Sequence, residues 1–211
     1  MSIFDEISTQ VQRGRADEVA SLVKQAIDEG STAQQILDEG LLEGMGVIGE
    51  KFKNNEVFVP EVLIAAKALN TGTALLKEKL VAEDVKPIGK VVIATVEGDL
   101  HDIGKNLVKL MMEGAGFEVV DLGADVSSDT IIEAINEHNP DIVALSALLT
   151  TTMAQQGEVI KALVAAGVRD QVKVMIGGAP ITEKFAQEIG ADKYTIDAAA
   201  AAQAAKDLVG A

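Results

Sequence analysis

The stretch that most constrains the fold is a change of texture between residues 91 and 112. Val91-Val92-Ile93-Ala94-Thr95-Val96 is a run of apolar and β-branched residues, which reads as a buried strand. It gives way to a polar loop, Glu97-Gly98-Asp99-Leu100-His101-Asp102-Ile103-Gly104. The helical pattern Lys105-Asn106-Leu107-Val108-Lys109-Leu110-Met111-Met112 follows. Asp99 and His101 therefore stand on a loop at the carboxyl end of a strand, where open α/β sheets bind ligands. His101 is one of only two histidines in the chain and lies between two acids.

The same texture repeats downstream. Strands are expected near 89–96, 117–121, 141–146, 172–176 and 193–196. Helices are expected between them near 103–114, 129–137, 153–166 and 181–188, with a last one over 198–209. Five strand–helix units imply a parallel sheet covered on both faces. About 120 residues suit the flavodoxin-like, Rossmann-like order 2-1-3-4-5, in which the loops after the first and third strands flank the switch point.

The first 84 residues read differently. Phe4, Ile7 and Val11 have helical spacing, and 17–29 carries Val19, Leu22, Val23, Ala26 and Ile27 on one face. Ser31 is expected to cap a third helix over 32–52, with Gln34 as its capping-box partner. A turn at 53–56 leads into a fourth helix over 60–80. Four such segments suggest a helical bundle. The expected organisation is α/β: a four-helix domain over 1–84, a linker at 85–88 inside the charged stretch 81–89, and a five-stranded parallel domain over 89–211. Gly44-Met45-Gly46-Val47-Ile48-Gly49 matches G-x-G-x-x-G, but no strand precedes it, so the dinucleotide reading fails. Its small residues instead allow close approach of a neighbouring helix or a flat ligand.

Composition narrows the chemistry. With no cysteine, thiolate catalysis, disulfides and cysteine-held metals are excluded, which fits a cytoplasmic location. The N-terminus lacks a secretory pattern, and no apolar run is long enough for a membrane span. A net charge of −15 argues against nucleic acid as a partner, because phosphate binding needs clustered Lys and Arg.

The expected crevice gathers three features. The first loop offers Asp99, His101 and Gly104; Ser146-Ala147-Leu148-Leu149-Thr150-Thr151-Thr152 holds four hydroxyls in seven residues; and Gly177-Gly178-Ala179-Pro180 leaves backbone bare. Singly, each has a plainer reading: a solvated loop histidine, helix capping hydroxyls, an ordinary turn. Their coincidence points to a ligand. Asp99, His101 and Asp102 partly supply a hydrolytic metal site, but no further histidine completes it. A His–Asp pair offering one nitrogen to a metal already held by a macrocycle fits better. His138, at a helix end, reads as structural.

Asp99-Leu100-His101-Asp102-Ile103-Gly104 resembles the D-x-H-x-x-G signature of cobalamin-binding proteins, and the match extends to Ser146-x-Leu148 and Gly177-Gly178. The helical half resembles that family's cap, through Glu43-Gly44-Met45, Gly49-Glu50-Lys51-Phe52 and Phe58-Val59-Pro60-Glu61-Val62-Leu63. The whole is similar to corrinoid proteins of methyltransferase systems and to the cobalamin module of methionine synthase. The resemblance implies cobalamin or a related corrinoid, methylcobalamin in its loaded form, with His101 as lower axial ligand of cobalt. Asp99 and Thr152 would form a relay behind it, Thr152 standing where the family has serine. Gly98, Asp102, Ile103, Gly104, Ser146, Leu148, Thr150, Gly177, Gly178 and Ala198 would line the cofactor and its displaced nucleotide tail. Phe52, Val59 and Asp38 would approach the upper face, Val59 in place of a larger leucine and Asp38 as a shorter acid. The implied partners are a substrate methyltransferase, an acceptor methyltransferase using tetrahydrofolate or a thiol coenzyme, and a reductive activation protein. The alternatives are a cobalamin-binding sensor module and the metal-dependent hydrolase.

Overall fold

A computed structural model describes residues 2–211, which divide into two compact units, one running to Pro87 and including Gly114–Gly116, the other comprising Ile88–Glu113 and Phe117–Ala211. The first is all helix: α1 (Ile3–Gln12), α2 (Ala16–Asp28), α3 (Ala33–Gln35), a π-helical segment (Ile36–Leu42), α4 (Glu43–Lys53) and α5 (Val59–Ala82). α2 packs along α5, and α1 packs on α2 and α4. Ile7, Val11, Val19, Val23, Ile36, Leu41, Ile48, Val62, Leu69 and Leu76 are buried in this unit.

Two features of this unit differ from expectation. The cap of α3 is Thr32, with Gln35 as capping-box partner, one residue later than the Ser31–Gln34 pairing. Ser31 is unavailable because its N–H still bonds back to Ala26 O (3.0 Å), closing α2 behind the left-handed Gly30. The third helical run also contains the π-helical segment Ile36–Leu42. Periodicity does not reveal it, because Ile36, Gly40 and Leu41 are buried at spacings that an α-helix shares. The G-x-G-x-x-G stretch lies inside α4. A Cβ at Gly44 would come 2.8 Å from Ser8 O, so glycine here permits the close approach of α1.

The second unit is a parallel sheet of β1 (Lys90–Thr95), β2 (Glu118–Asp121), β3 (Ile142–Ser146), β4 (Lys173–Gly177) and β5 (Lys193–Tyr194), in the order β2-β1-β3-β4-β5. The crossovers are α6 (Ile103–Gly114), α7 (Ser128–His138), α8 (Met153–Ala165) and α9 (Glu183–Ile189), and α10 (Ala198–Val209) closes the chain. β5 is only two residues long, half the expected 193–196, and pairs on one side only, with β4. His138 ends α7, where a basic side chain suits the helix dipole.

The two faces of the sheet differ. Ala94, Val96, Val143, Leu145, Val174 and Ile176 form one apolar core with Ile131, Ile135, Val159, Ile160 and Leu163 of α7 and α8. Strand alternation turns Thr95, Ser146 and Gly177 to the opposite face, and the register aligns them side by side at its carboxyl edge. That edge is therefore lined by a hydroxyl, a second hydroxyl and bare backbone. The alanine-rich helix α10 begins beside it, with Asp197 capping the Ala200 N–H (2.7 Å).

Candidate functional site

The loop after β1 folds around one carboxylate. Asp99 has no solvent exposure and accepts four hydrogen bonds. Its Oδ1 takes the His101 N–H (3.0 Å) and lies 2.7 Å from His101 Nδ1. Its Oδ2 takes the Leu148 N–H (2.7 Å) and the Thr152 hydroxyl (2.6 Å), both from the loop after β3. Burial opposes the charge, but the bonds from Thr152, from the His101 and Leu148 N–H groups and from the imidazole outweigh it. They hold the carboxyl well below the usual carboxylate range.

An ionised Asp99 fixes the tautomer of His101. A carboxylate only accepts, so Nδ1 carries the proton and Nε2 keeps its lone pair. The imidazole is half exposed (51%), and its main chain is pinned at both ends: the N–H on Asp99, the carbonyl on the buried Thr95 hydroxyl (3.0 Å). This is an imidazole with one nitrogen locked and the other, Nε2, without a protein partner among the described residues.

Other expected site residues fall around it. Gly98 (φ +80°) precedes Asp99, while Ile103 and Gly104 are exposed at the start of α6, where a Cβ on Gly104 would meet open space. Asp102 does not share the imidazole; its carboxylate takes the Asn106 side chain (3.1 Å). Leu148 and Thr150 are exposed on the β3 loop, Ser146 ends β3, and Ala198 opens α10. Gly178 lies at φ +131°, and a Cβ there would collide with the Ala147 carbonyl, so no side chain fits. A Cβ at Gly177 would make only ordinary contact with Thr195 O (3.4 Å). Asp38, Phe52 and Val59 belong to the helical unit: Asp38 is exposed in the π-helical segment, Phe52 half-buried in α4 and Val59 half-buried at the start of α5.

Several contributors carry little sequence signal. Leu148 acts through its backbone N–H, to which its side chain gives no clue. Thr95 could have been suspected, as the one hydroxyl in a buried apolar run that must find an acceptor. Leu100 and Ile196 are highly exposed apolar side chains at the carboxyl edge of the sheet. Lys105, the residue after Gly104, is 1% exposed and bonds Asp121 at the end of β2 (2.6 Å) and Asn106 (2.7 Å). Burial opposes the Asp121 charge, and Lys105 beside it more than compensates, holding that carboxyl low.

No cluster of three or more His, Asp or Glu side chains placed to hold a metal ion occurs among the described residues. The Asp99–His101–Asp102 hydrolase thus lacks its ligand set. The donor chemistry fits a metal that arrives with its other ligands and needs one neutral imidazole.

Fold and site thus define a class: a flavodoxin-like domain presenting one oriented imidazole at its switch point. Comparison with known proteins gives the family. Residues 89–206 match the B12 binding domain, and residues 3–77 match a second B12 binding domain model. The chain is 45% identical over 177 residues to trimethylamine corrinoid protein 1 of Methanosarcina acetivorans, covering 83% of this chain and 82% of that one. It is 38% identical over 213 residues to a corrinoid protein of Desulfitobacterium hafniense, covering 100% and 99%. Among solved structures, the methanol:cobalamin methyltransferase complex of Methanosarcina barkeri matches with a TM-score of 0.89 at 30% identity, covering 99% of this chain and 80% of that one. A cobalamin-binding protein from Desulfitobacterium hafniense matches with a TM-score of 0.79 at 34% identity, covering 97% and 98%. The chain belongs to the B12-binding family of corrinoid proteins. No helix among the described residues is long and apolar enough to cross a membrane.

Proposed function

We propose that the chain is a methyl carrier: it holds a corrinoid, accepts a methyl group through a substrate methyltransferase, and gives it up to an acceptor methyltransferase. The observation that carries this reading is the imidazole of His101, locked through Nδ1 on buried Asp99 and open at Nε2. The bound corrinoid supplies a cobalt centre that takes up and releases the methyl group.

His101 would hold the corrinoid's metal through Nε2. Asp99 orients the ring through the Nδ1–H bond. Thr152 and the Leu148 N–H keep the second oxygen of Asp99 occupied, so the carboxylate stays in place behind the ring. Ser146, Gly177 and Gly104 leave room for the nucleotide tail, with Gly98, Asp102, Ile103, Leu148, Thr150, Gly178 and Ala198 around it. Phe52, Val59 and Asp38, all in the helical unit, are further cofactor-binding residues in this reading, on the family resemblance. Tetrahydrofolate or a thiol coenzyme is the final acceptor, and a reductive activation protein is a third partner in this reading. Relatives named for trimethylamine and dimethylamine make methylated amines the first donors to try, ahead of methanol.

The test is spectroscopic. Protein reconstituted with cobalamin is reduced to the cobalt(II) state, and its paramagnetic resonance is compared with and without ¹⁵N-histidine labelling. A nitrogen splitting that changes on labelling is expected; cobalamin bound with its own base on cobalt would refute the His101 assignment. In His101→Ala the cofactor is held more weakly and methyl transfer slows. Conversion of an added methylamine only in the presence of its methyltransferase separates the carrier from a sensor module.

A further inference from the structure

The connection from β2 to α7 stays with β1 beyond the end of the strand pair. The Thr95 N–H donates to Gly123 O (2.9 Å), and the Val126 N–H donates to Thr95 O (3.1 Å). Between these contacts Asp125 lies at φ +57°, the left-handed region that side-chain-bearing residues disfavour. There it makes two bonds to the imidazole loop. Its N–H donates to Asp99 O (3.0 Å), and its Oδ1 accepts the Gly98 N–H (2.7 Å).

These bonds fall where the loop needs an external hold. The Asp99 carboxylate must bridge two loops at once, reaching His101 Nδ1 with one oxygen and Thr152 with the other. That geometry depends on where the Asp99 main chain sits. The Asp99 N–H returns only to Val96 O (3.1 Å), within its own loop. The peptide groups on either side of Gly98–Asp99 are otherwise fixed by Asp125, whose side chain is exposed and does not touch the imidazole.

We infer that Asp125 is a positioning residue for His101, acting through the Asp99 main chain to keep the Nδ1–H tautomer and the orientation of Nε2. Its importance for methyl transfer rests on the proposed function; its action on the imidazole does not. The plainer role, a left-handed turn residue, makes an opposite forecast: glycine adopts φ +57° without strain and should serve as well or better.

The experiment uses apoprotein labelled with ¹⁵N-histidine at pH 8.5 and reads the His101 tautomer ratio by long-range ¹H–¹⁵N correlation, with His101→Ala assigning the signal. In the natural protein the Nδ1–H form dominates. In Asp125→Gly the ratio falls by about three- to tenfold, the worth of one hydrogen bond. Asp125→Asn keeps an oxygen acceptor and tolerates the left-handed region, and retains the natural ratio. Asp125→Ser, one bond short of Gly98, gives an independent reading in the direction of glycine. An unchanged ratio in Asp125→Gly and Asp125→Ser overturns the inference, as does an Asn variant that falls as far as glycine. No corrinoid enters this measurement, so its failure is distinct from the failure of the methyl-carrier reading, which shows in the cobalt(II) spectrum.

Discussion

Replacing Asp99 with asparagine tests the central carboxylate most directly. Four donors converge on it: the His101 and Leu148 N–H groups, the imidazole Nδ1–H and the Thr152 hydroxyl. Asparagine changes one oxygen to an NH₂ group, which must face two of those donors. The Thr152 hydroxyl can turn toward Leu149 O (3.1 Å), but a backbone N–H cannot turn. Whichever way the amide lies, one part-buried N–H, of Leu148 or of His101, loses its partner at a cost of about 1–3 kcal/mol. Bonds that were charge-assisted also weaken, while removal of a buried charge offsets part of the loss, so the net destabilisation is about 2 kcal/mol. The effect depends on pH. Because folding lowers the Asp99 pKa, its stabilisation is fully present above the unfolded value of ~3.9 and is lost as the pH falls toward the folded one. The gap between the natural protein and Asp99→Asn should be constant from about pH 7 to 5 and should narrow below about pH 4. The chain has one tyrosine, Tyr194 on β5, and no tryptophan. Tyrosine fluorescence during urea unfolding of apoprotein therefore reports on the sheet domain alone. A gap of the same size at pH 3, or none at pH 7, would refute the account of Asp99 as a buried, ionised, fully bonded carboxylate.

Perturbations at four further positions separate folding from binding. Thr152→Val removes one charge-assisted bond to Asp99 at a cost of about 1–2 kcal/mol in urea unfolding, and Thr152→Ser restores most of it. Lys105→Met leaves Asp121 without its nearest cation, with Lys109 still 3.5 Å away; since Asp121 is partly exposed, the expected loss is about 1–3 kcal/mol at pH 7. That loss shrinks in acid, because the lowered Asp121 pKa makes the pair's contribution disappear once the carboxyl is protonated. Gly178→Ala places a methyl group against the Ala147 carbonyl at φ +131° and should destabilise the sheet domain by about 3 kcal/mol in thermal or urea unfolding. Gly177→Ala, where a Cβ makes only ordinary contact, should fold normally yet bind cobalamin more weakly in an absorbance titration.

The strand–loop–helix grammar was legible because its causes are local. β-branched runs such as Val91-Val92-Ile93 make buried strands, and a loop of Asp, Gly and His cannot continue one. The number and order of strands followed, because right-handed crossovers and short connections leave few arrangements for five βα units. Boundaries were less legible. Thr32 rather than Ser31 caps α3 because the Ser31 N–H is taken by Ala26 O in the closing turn of α2. The π-helical turn at Ile36–Leu42 has no signature in the sequence because burial at 36, 40 and 41 suits either helix type.

For the candidate site, the residue types alone placed Asp99, His101 and Thr152 at one crevice, since a parallel sheet brings the ends of its first and third strands together. The family resemblance already implied Asp99 behind the imidazole, but only the tertiary structure decided the other partners. It sent Asp102 to Asn106, used the Leu148 backbone as a donor, and brought Asp125 onto Gly98 across 27 residues of chain. Hydrophobic patterning is a property of neighbours along the chain and survives in one dimension. Hydrogen-bond partners depend on ångström-scale distances between loops that packing alone sets, so they become readable only once the sheet is assembled.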